Sequence, residues 1–184
     1  YEPNFTLRRS YLRKLTTEIK ETVSLSVPIG TKLVYFDRIE FHWPMQLNLE
    51  AGDHLPLHAS ASGKLYLSTL SLNERRKLVG TSSLERFTAA TLTRFEDLET
   101  NIQASLEQGF FTAKEEAFSG MSSVAAPLRA PGGLVIGAMV ATGNASQLQD
   151  KKLIECGEVV KRAADFLSQM SPNTRTLESL LGQN

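Results

Sequence analysis

Residues 120–142 constrain the fold of this chain more than any other stretch. Two runs of apolar and small residues, 120–128 and 134–142, flank Arg129-Ala130-Pro131-Gly132-Gly133. Proline presets the first corner of a type II turn and glycine accepts the positive φ of the second, so the segment predicts a β-hairpin. In the first run Val124, Ala126 and Leu128 share one face, and Met121, Ser123 and Ala125 share the other. The second run is different, because residues 134–141 carry no polar side chain at all. A strand without a polar face must be covered on both sides, which places it inside the sheet. The fold therefore needs helices above and below that sheet.

The helices are visible in the spacing. Asn4 can cap a first helix over residues 4–21, with Leu12, Leu15 and Ile19 on one stripe. A second is expected over residues 59–70. Ser71-Leu72-Asn73-Glu74 matches a capping box, and so does Thr93-Arg94-Phe95-Glu96, which opens a helix carrying Phe95, Leu98, Ile102 and Leu106 and stopping at Gly109. Ser146-Gln147-Leu148-Gln149 offers a third box, before a helix to residue 170 whose seam runs Leu153, Cys156, Val160, Ala163, Leu167, Met170. Pro172 ends it and leaves a short tail with Leu177, Leu180 and Leu181. Further strands are expected at 22–28 and 32–40, joined by Ile29-Gly30-Thr31, and at 45–49 and 110–112. Strict alternation in 32–40 groups Leu33, Tyr35, Asp37 and Ile39 against Val34, Phe36, Arg38 and Glu40. The result is a single α+β domain over residues 1–184, an antiparallel sheet of about six strands with helices packed on it, and not a parallel Rossmann sheet.

Composition excludes several functions. Twenty basic residues balance twenty acidic ones, so the chain offers no electrostatic footprint for nucleic acid or anionic lipid. One cysteine rules out an internal disulfide framework and any CxxC metal site, and fits a reducing cytoplasm. The longest apolar run is far too short to span a bilayer, so no membrane partner is expected. The chain starts at Tyr1 without an initiator methionine, as a fragment or processed product would.

Catalytic motifs are absent: there is no phosphate loop, GxGxxG, GxSxG or HExxH. No cofactor or metal is expected. His42, His54 and His58 match no strong ligand template, so structural or solvent-facing roles compete with metal or base chemistry. Cys156 reads as a buried small hydrophobe on its helix seam, against the alternative of a nucleophile. Two segments carry more. In 55–64, four small residues, Ala59-Ser60-Ala61-Ser62, and then Gly63 precede Lys64 at a helix start. Free backbone N–H groups and the positive helix end gather there, which suits a carboxylate; close helix-on-sheet packing explains the same residues. On the hairpin, Ala138, Val140 and Thr142 share a face. If it coincides with that of Ser123, the two strands line a surface able to hold a small molecule; otherwise these are ordinary strand residues.

Glu21-Thr22-Val23, residues 34–40 (VYFDRIE), Leu55-Pro56-Leu57-His58-Ala59-Ser60 with Gly63-Lys64, Gly109-Phe110 with Glu115-Glu116, Gly120, Val124-Ala125-Ala126-Pro127 and Thr142-Gly143 follow one another in a familiar order. With this ordered set the chain resembles the C-terminal effector-binding domain of the isocitrate lyase regulator (IclR) family of bacterial transcription factors. The resemblance implies a GAF-like domain that binds a small organic acid or aromatic effector, assembles as a homodimer or homotetramer, and acts on promoter DNA through an N-terminal winged helix-turn-helix domain absent from this chain. It implies anion-contacting backbone at Ala61 and Ser62, next to Gly63, and pocket positions at Ser123, Val140 and Thr142, with Met121, Phe111, Phe110 and Met45 available as apolar lining. Family members that bind keto acids carry an acidic residue where this chain has Thr112-Ala113-Lys114, a cysteine at Ser123 and a serine at Val140. A less polar pocket follows, suited to a bulkier acid than glyoxylate or pyruvate. A dimerisation module without a working pocket and a hydrolase using Ser62 with His58 are the alternatives.

Overall fold

The computed structural model describes residues 3–41, 55–80 and 83–170. The first helix, α1, spans Pro3–Ile19 and buries Leu12 and Leu15 along its stripe. Strands β1 (Thr22–Ile29) and β2 (Lys32–Ile39) follow as an antiparallel hairpin. Three helices come next, α2 (Ala61–Ser68), α3 (Leu72–Val79) and α4 (Phe95–Gln108). Then come β3 (Phe111–Lys114), β4 (Met121–Arg129), β5 (Val135–Asn144) and the long α5 (Asp150–Met170). The five strands form one antiparallel sheet in the order β2-β1-β5-β4-β3. The strand expected at 45–49, which would have made six, lies outside the described residues, as do Met45, His42, His54 and the 171–184 tail.

Strand β5 is central, as its apolar faces require. On one side Met139 and Ala141 join Val124, Ala126 and Leu128 of β4, Leu12 and Leu15 of α1, and Leu153, Val160 and Ala163 of α5 in one core. On the other, Ala138 and Val140 meet Ala125, Phe111, Leu65 of α2 and Leu98 and Ile102 of α4. The β4–β5 turn is type II: Gly133 N–H donates to the Ala130 carbonyl at 2.9 Å, and Gly132 takes φ +98° after Pro131.

Three expectations need correction. The capping box of α3 forms as written, with Ser71 and Glu74 exchanging bonds. The one at Thr93 does not: Arg94 is the N-cap of α4 and supplies no side-chain bond. Thr93 is committed elsewhere, its carbonyl accepting from Leu84 N–H at 2.9 Å beside the Ser83–Arg94 bridge. Likewise α5 starts at Asp150 and not at Ser146, because Asn144 captures the intervening N–H groups: its Oδ1 accepts from Ser146 and its carbonyl from Gln147 and Leu148. Finally, strict alternation fails in β2. Ser24 pairs with Arg38 and Leu25 with Asp37, but Ser26 pairs with Tyr35, so Phe36 is an extra, bulged residue.

Cys156 sits on the α5 seam, and burial, aided by the nearby Glu21 carboxylate, pushes its thiol up to about 12. The native thiol should stay silent to iodoacetamide at pH 8 and react only on unfolding; rapid alkylation of folded protein would contradict this. An unfolded chain ionises the thiol near its ordinary value of 9.0 while the fold keeps it protonated, so this contribution to stability is whole below that pH and is lost as pH rises towards 12.

Candidate functional site

The small residues before α2 do two jobs. Ser60 is the N-cap, and its hydroxyl accepts from Gly63 N–H at 3.2 Å and donates to the Pro56 carbonyl at 2.9 Å. Lys64 N–H returns to the Ser60 carbonyl at 2.9 Å. The N–H groups of Ala61 and Ser62 therefore lack an intrahelical acceptor and stand at the positive end of the helix. Ser62 adds its own group, a hydroxyl 1% exposed as a residue and without a well-aligned partner. Gly63 contributes space: a methyl there would overlap the Leu57 carbonyl oxygen and lie 2.5 Å from Leu57 Cα. The glycine permits the close approach of the helix start to the 57–60 turn.

The opposite wall comes from the hairpin. Ser123 and Thr142 are Cα partners across β4 and β5, and Ala125 faces Val140, so the two faces coincide. A small cavity of about 30 Å³ lies between Ser62, Tyr35, Ser123, Val140 and Thr142. That is room for a water or a carboxylate head and no more. It shares Ala117, Phe118, Met121 and Thr142 with a larger cavity of about 460 Å³, whose walls include Phe41, Phe87, Arg38 and Thr88. The inner cavity is mostly apolar with the Ser62, Ser123 and Thr142 hydroxyls set into it, and the larger one mixes Phe41, Phe87 and Phe118 with Arg38, Glu40 and Thr88.

The residues proposed from sequence divide as follows. Ser62, Ser123, Val140, Thr142 and Met121 line the inner cavity. Ala61 turns its side chain into the core and offers only its N–H, Gly63 N–H is taken by the cap, and Phe111 is core. Met45 lies outside the described residues. Sequence reasoning missed Tyr35, Phe118 and Ala117. His58 is structural: its Nε2 lies 2.8 Å from the Glu85 carbonyl and its ring packs on Phe87, so it does not serve Ser62 as a base. Among the described residues no group of three or more His, Cys, Asp or Glu could hold a metal, and no helix is long and apolar enough to cross a membrane.

One further pair frames the site. Lys64 is completely buried, with its Nζ 2.7 Å from Glu116 Oε1 and 3.1 Å from the Thr112 carbonyl oxygen. Burial pushes the ammonium down and the Glu116 carboxyl up, and each group draws the other partly back. Glu115 closes the same loop, accepting Gly120 N–H at 2.7 Å, while Thr88 and Thr91 donate to the Glu115 and Glu116 carbonyls. Residues 115–120, which supply Ala117 and Phe118 to the cavity, are thus fastened to α2. Lys114 lines neither cavity and pairs with Asp150 at 2.7 Å.

A family model described as the bacterial transcriptional regulator IclR C-terminal domain matches residues 5–169. This chain belongs to the IclR family. It is 35% identical over 121 residues to the regulator SauR of Cupriavidus necator, covering 66% of this chain and 48% of SauR. It is 30% identical over 158 residues to the repressor AllR of Salmonella paratyphi A, covering 86% of this chain and 58% of AllR. The chain thus spans about half the length of these IclR-family relatives. Among solved structures, the inducer-binding domain of a double mutant of Acinetobacter PobR in complex with 3-hydroxybenzoic acid aligns with a TM-score of 0.77 at 24% identity, covering 93% of this chain and 99% of that one. The sheet with helices on both faces is accordingly the GAF-like fold of IclR effector-binding domains.

Proposed function

We propose that this IclR-family domain senses a small organic acid with an aromatic or similarly bulky body. The carboxylate is held by the Ala61 and Ser62 N–H groups and the Ser62 hydroxyl in the inner cavity, beside Ser123, Val140 and Thr142, and the body extends past Met121 and Phe118 into the larger chamber. The observation that carries this reading is the buried Ser62 hydroxyl at a helix start, where a small cavity adjoins a larger one walled in part by Phe41, Phe87 and Phe118. The PobR complex, a similar fold with an aromatic acid, supports it. In the full-length cytoplasmic regulator, a homodimer or homotetramer, effector binding shifts the domain between two conformations and so alters promoter binding by an N-terminal DNA-reading domain. The domain itself catalyses nothing.

Calorimetry with benzoate, 3-hydroxybenzoate, glyoxylate and pyruvate tests the reading. Aromatic acids should bind more tightly than the two keto acids. Ser62→Ala and Thr142→Val should each weaken binding about three- to tenfold, the worth of one hydrogen bond. Failure of every acid to bind, or indifference of the affinity to both substitutions, would refute it.

A further inference from the structure

The bulge in β2 has a geometric result. Side chains alternate across a sheet, so residues two apart normally share a face; one inserted residue reverses that parity. With Phe36 inserted, Tyr35 and Asp37 point to opposite sides. Tyr35 faces α2: it lines the inner cavity, packs against the core on that side, and its phenol lies beside the Ser62 hydroxyl. Asp37 faces α1. Its carboxylate is buried and accepts from Arg8 Nε at 3.1 Å, lies 3.3 Å from Arg9 Nη1, and takes the Arg38 N–H at 3.0 Å. The Arg8 guanidinium also sits 5.5 Å above the Phe36 ring. Arg38 then returns to the cavity side and lines the larger chamber. Three consecutive residues thus touch the effector cavity, solvent and the N-terminal helix in turn. The unpaired bulge residue is also the point where the β1–β2 ladder resists displacement least.

We propose that Tyr35 contacts the effector, and that the bulge at Phe36 ties its position to the Asp37 clasp on α1, so that filling the cavity and holding α1 against the sheet are coupled. The contact arm rests on the carboxylate reading above; the coupling arm does not. Coupling of this kind is reciprocal: whatever loosens the clasp changes effector affinity, and whatever moves Tyr35 changes the hold on α1. It also places the signal on the helix nearest the N-terminus of the chain.

Hydrogen exchange of α1 amides, with α5 amides as an internal reference, tests the coupling on the chain as it stands. Asp37→Asn keeps the shape and removes the charge, and it should speed exchange in α1. Tyr35→Phe removes only a hydroxyl on the opposite face of the sheet, yet it should also speed α1 exchange, about three- to tenfold, with α5 unchanged. Ser123→Ala, in the same cavity but off β2, should leave α1 at the wild-type rate. With 3-hydroxybenzoate as probe, Tyr35→Phe should raise its Kd, and the acid should slow α1 exchange in wild type but not in Asp37→Asn. An α1 rate unaltered by Tyr35→Phe overturns the coupling. An unchanged Kd in that variant overturns the contact. If no carboxylate binds wild type while Tyr35→Phe still loosens α1, the coupling stands and the carboxylate reading falls.

Discussion

Lys64→Ala is expected to cost about 3–5 kcal/mol, the usual penalty for stripping one partner from a buried ion pair. At about 2–4 °C per kcal/mol for a domain of this size, melting should fall by roughly 6–20 °C. The size of the effect comes from what is left behind. Glu116 has one oxygen on Lys64 and otherwise only the Lys114 backbone beside it, so removing the ammonium leaves a mostly buried carboxylate without its charged partner. Protonation of Glu116 offers a partial escape, since burial already pushes its pKa up, and the loss should therefore shrink at low pH. The paired change Lys64→Met with Glu116→Leu should recover most of the stability, because two apolar side chains leave no charge unpaired. Thermal denaturation of the three variants decides the matter; a Lys64→Ala protein that melts within 2 °C of wild type would show that the pair is not what fastens the 115–120 loop to α2.

Gly63→Ala should destabilise the domain in spite of helix propensity. In an open helix this change gains about 1 kcal/mol. Here the added methyl overlaps the Leu57 carbonyl oxygen and lies 2.6 Å from Ser60 Oγ, and overpacking against backbone costs about 1–3 kcal/mol or more, so the steric term wins. Relief requires α2 to move away from the 57–60 turn, and that movement carries the Ala61 and Ser62 N–H groups with it. Carboxylate affinity should drop about tenfold or more, the loss expected when at least one charge-assisted bond is misaligned. Gly132→Ala makes the matching control: it meets nothing within 4 Å but sits at φ +98°, so it should cost about 1 kcal/mol and leave affinity alone. Equal affinities for the wild type and Gly63→Ala would separate the glycine from the site.

Much of this was readable before any coordinates, and the limits have physical causes. Pro131-Gly132 located the hairpin, and the apolar run after it placed β5 inside the sheet. The hairpin register then made Ser123 and Thr142 neighbours. Periodicity was equally sound for α1, for α4 as far as Ile102 and for the α5 seam as far as Leu167, but Leu106 and Met170 at the helix ends, expected on the same stripes, are exposed. It failed where a local pattern met a non-local competitor. Thr93 looked like a cap until its carbonyl was claimed by Leu84, and Ser146 looked like one until Asn144 took the N–H groups around it. Tyr35 was missed because counting by twos assumes an unbroken ladder, and a single bulged residue moves it to the other family of side chains. Lys64 and Glu116, 52 residues apart, give no sequence sign of pairing, and lysine is among the residues least expected inside.

The sheet separates two cores that share no side chain, one beneath α1 and α5 and the other beneath α2 and α4. Neighbouring positions of β4 and β5 alternate between them, so Ser123, Val140 and Thr142, which line the inner cavity, lie on the face opposite Val124, Met139 and Ala141. Chemical taste and scaffold integrity are thereby assigned to different letters of the same strand. On the proposed reading, a lineage can drift from one effector to another by altering every second residue while the opposite layer is inherited intact.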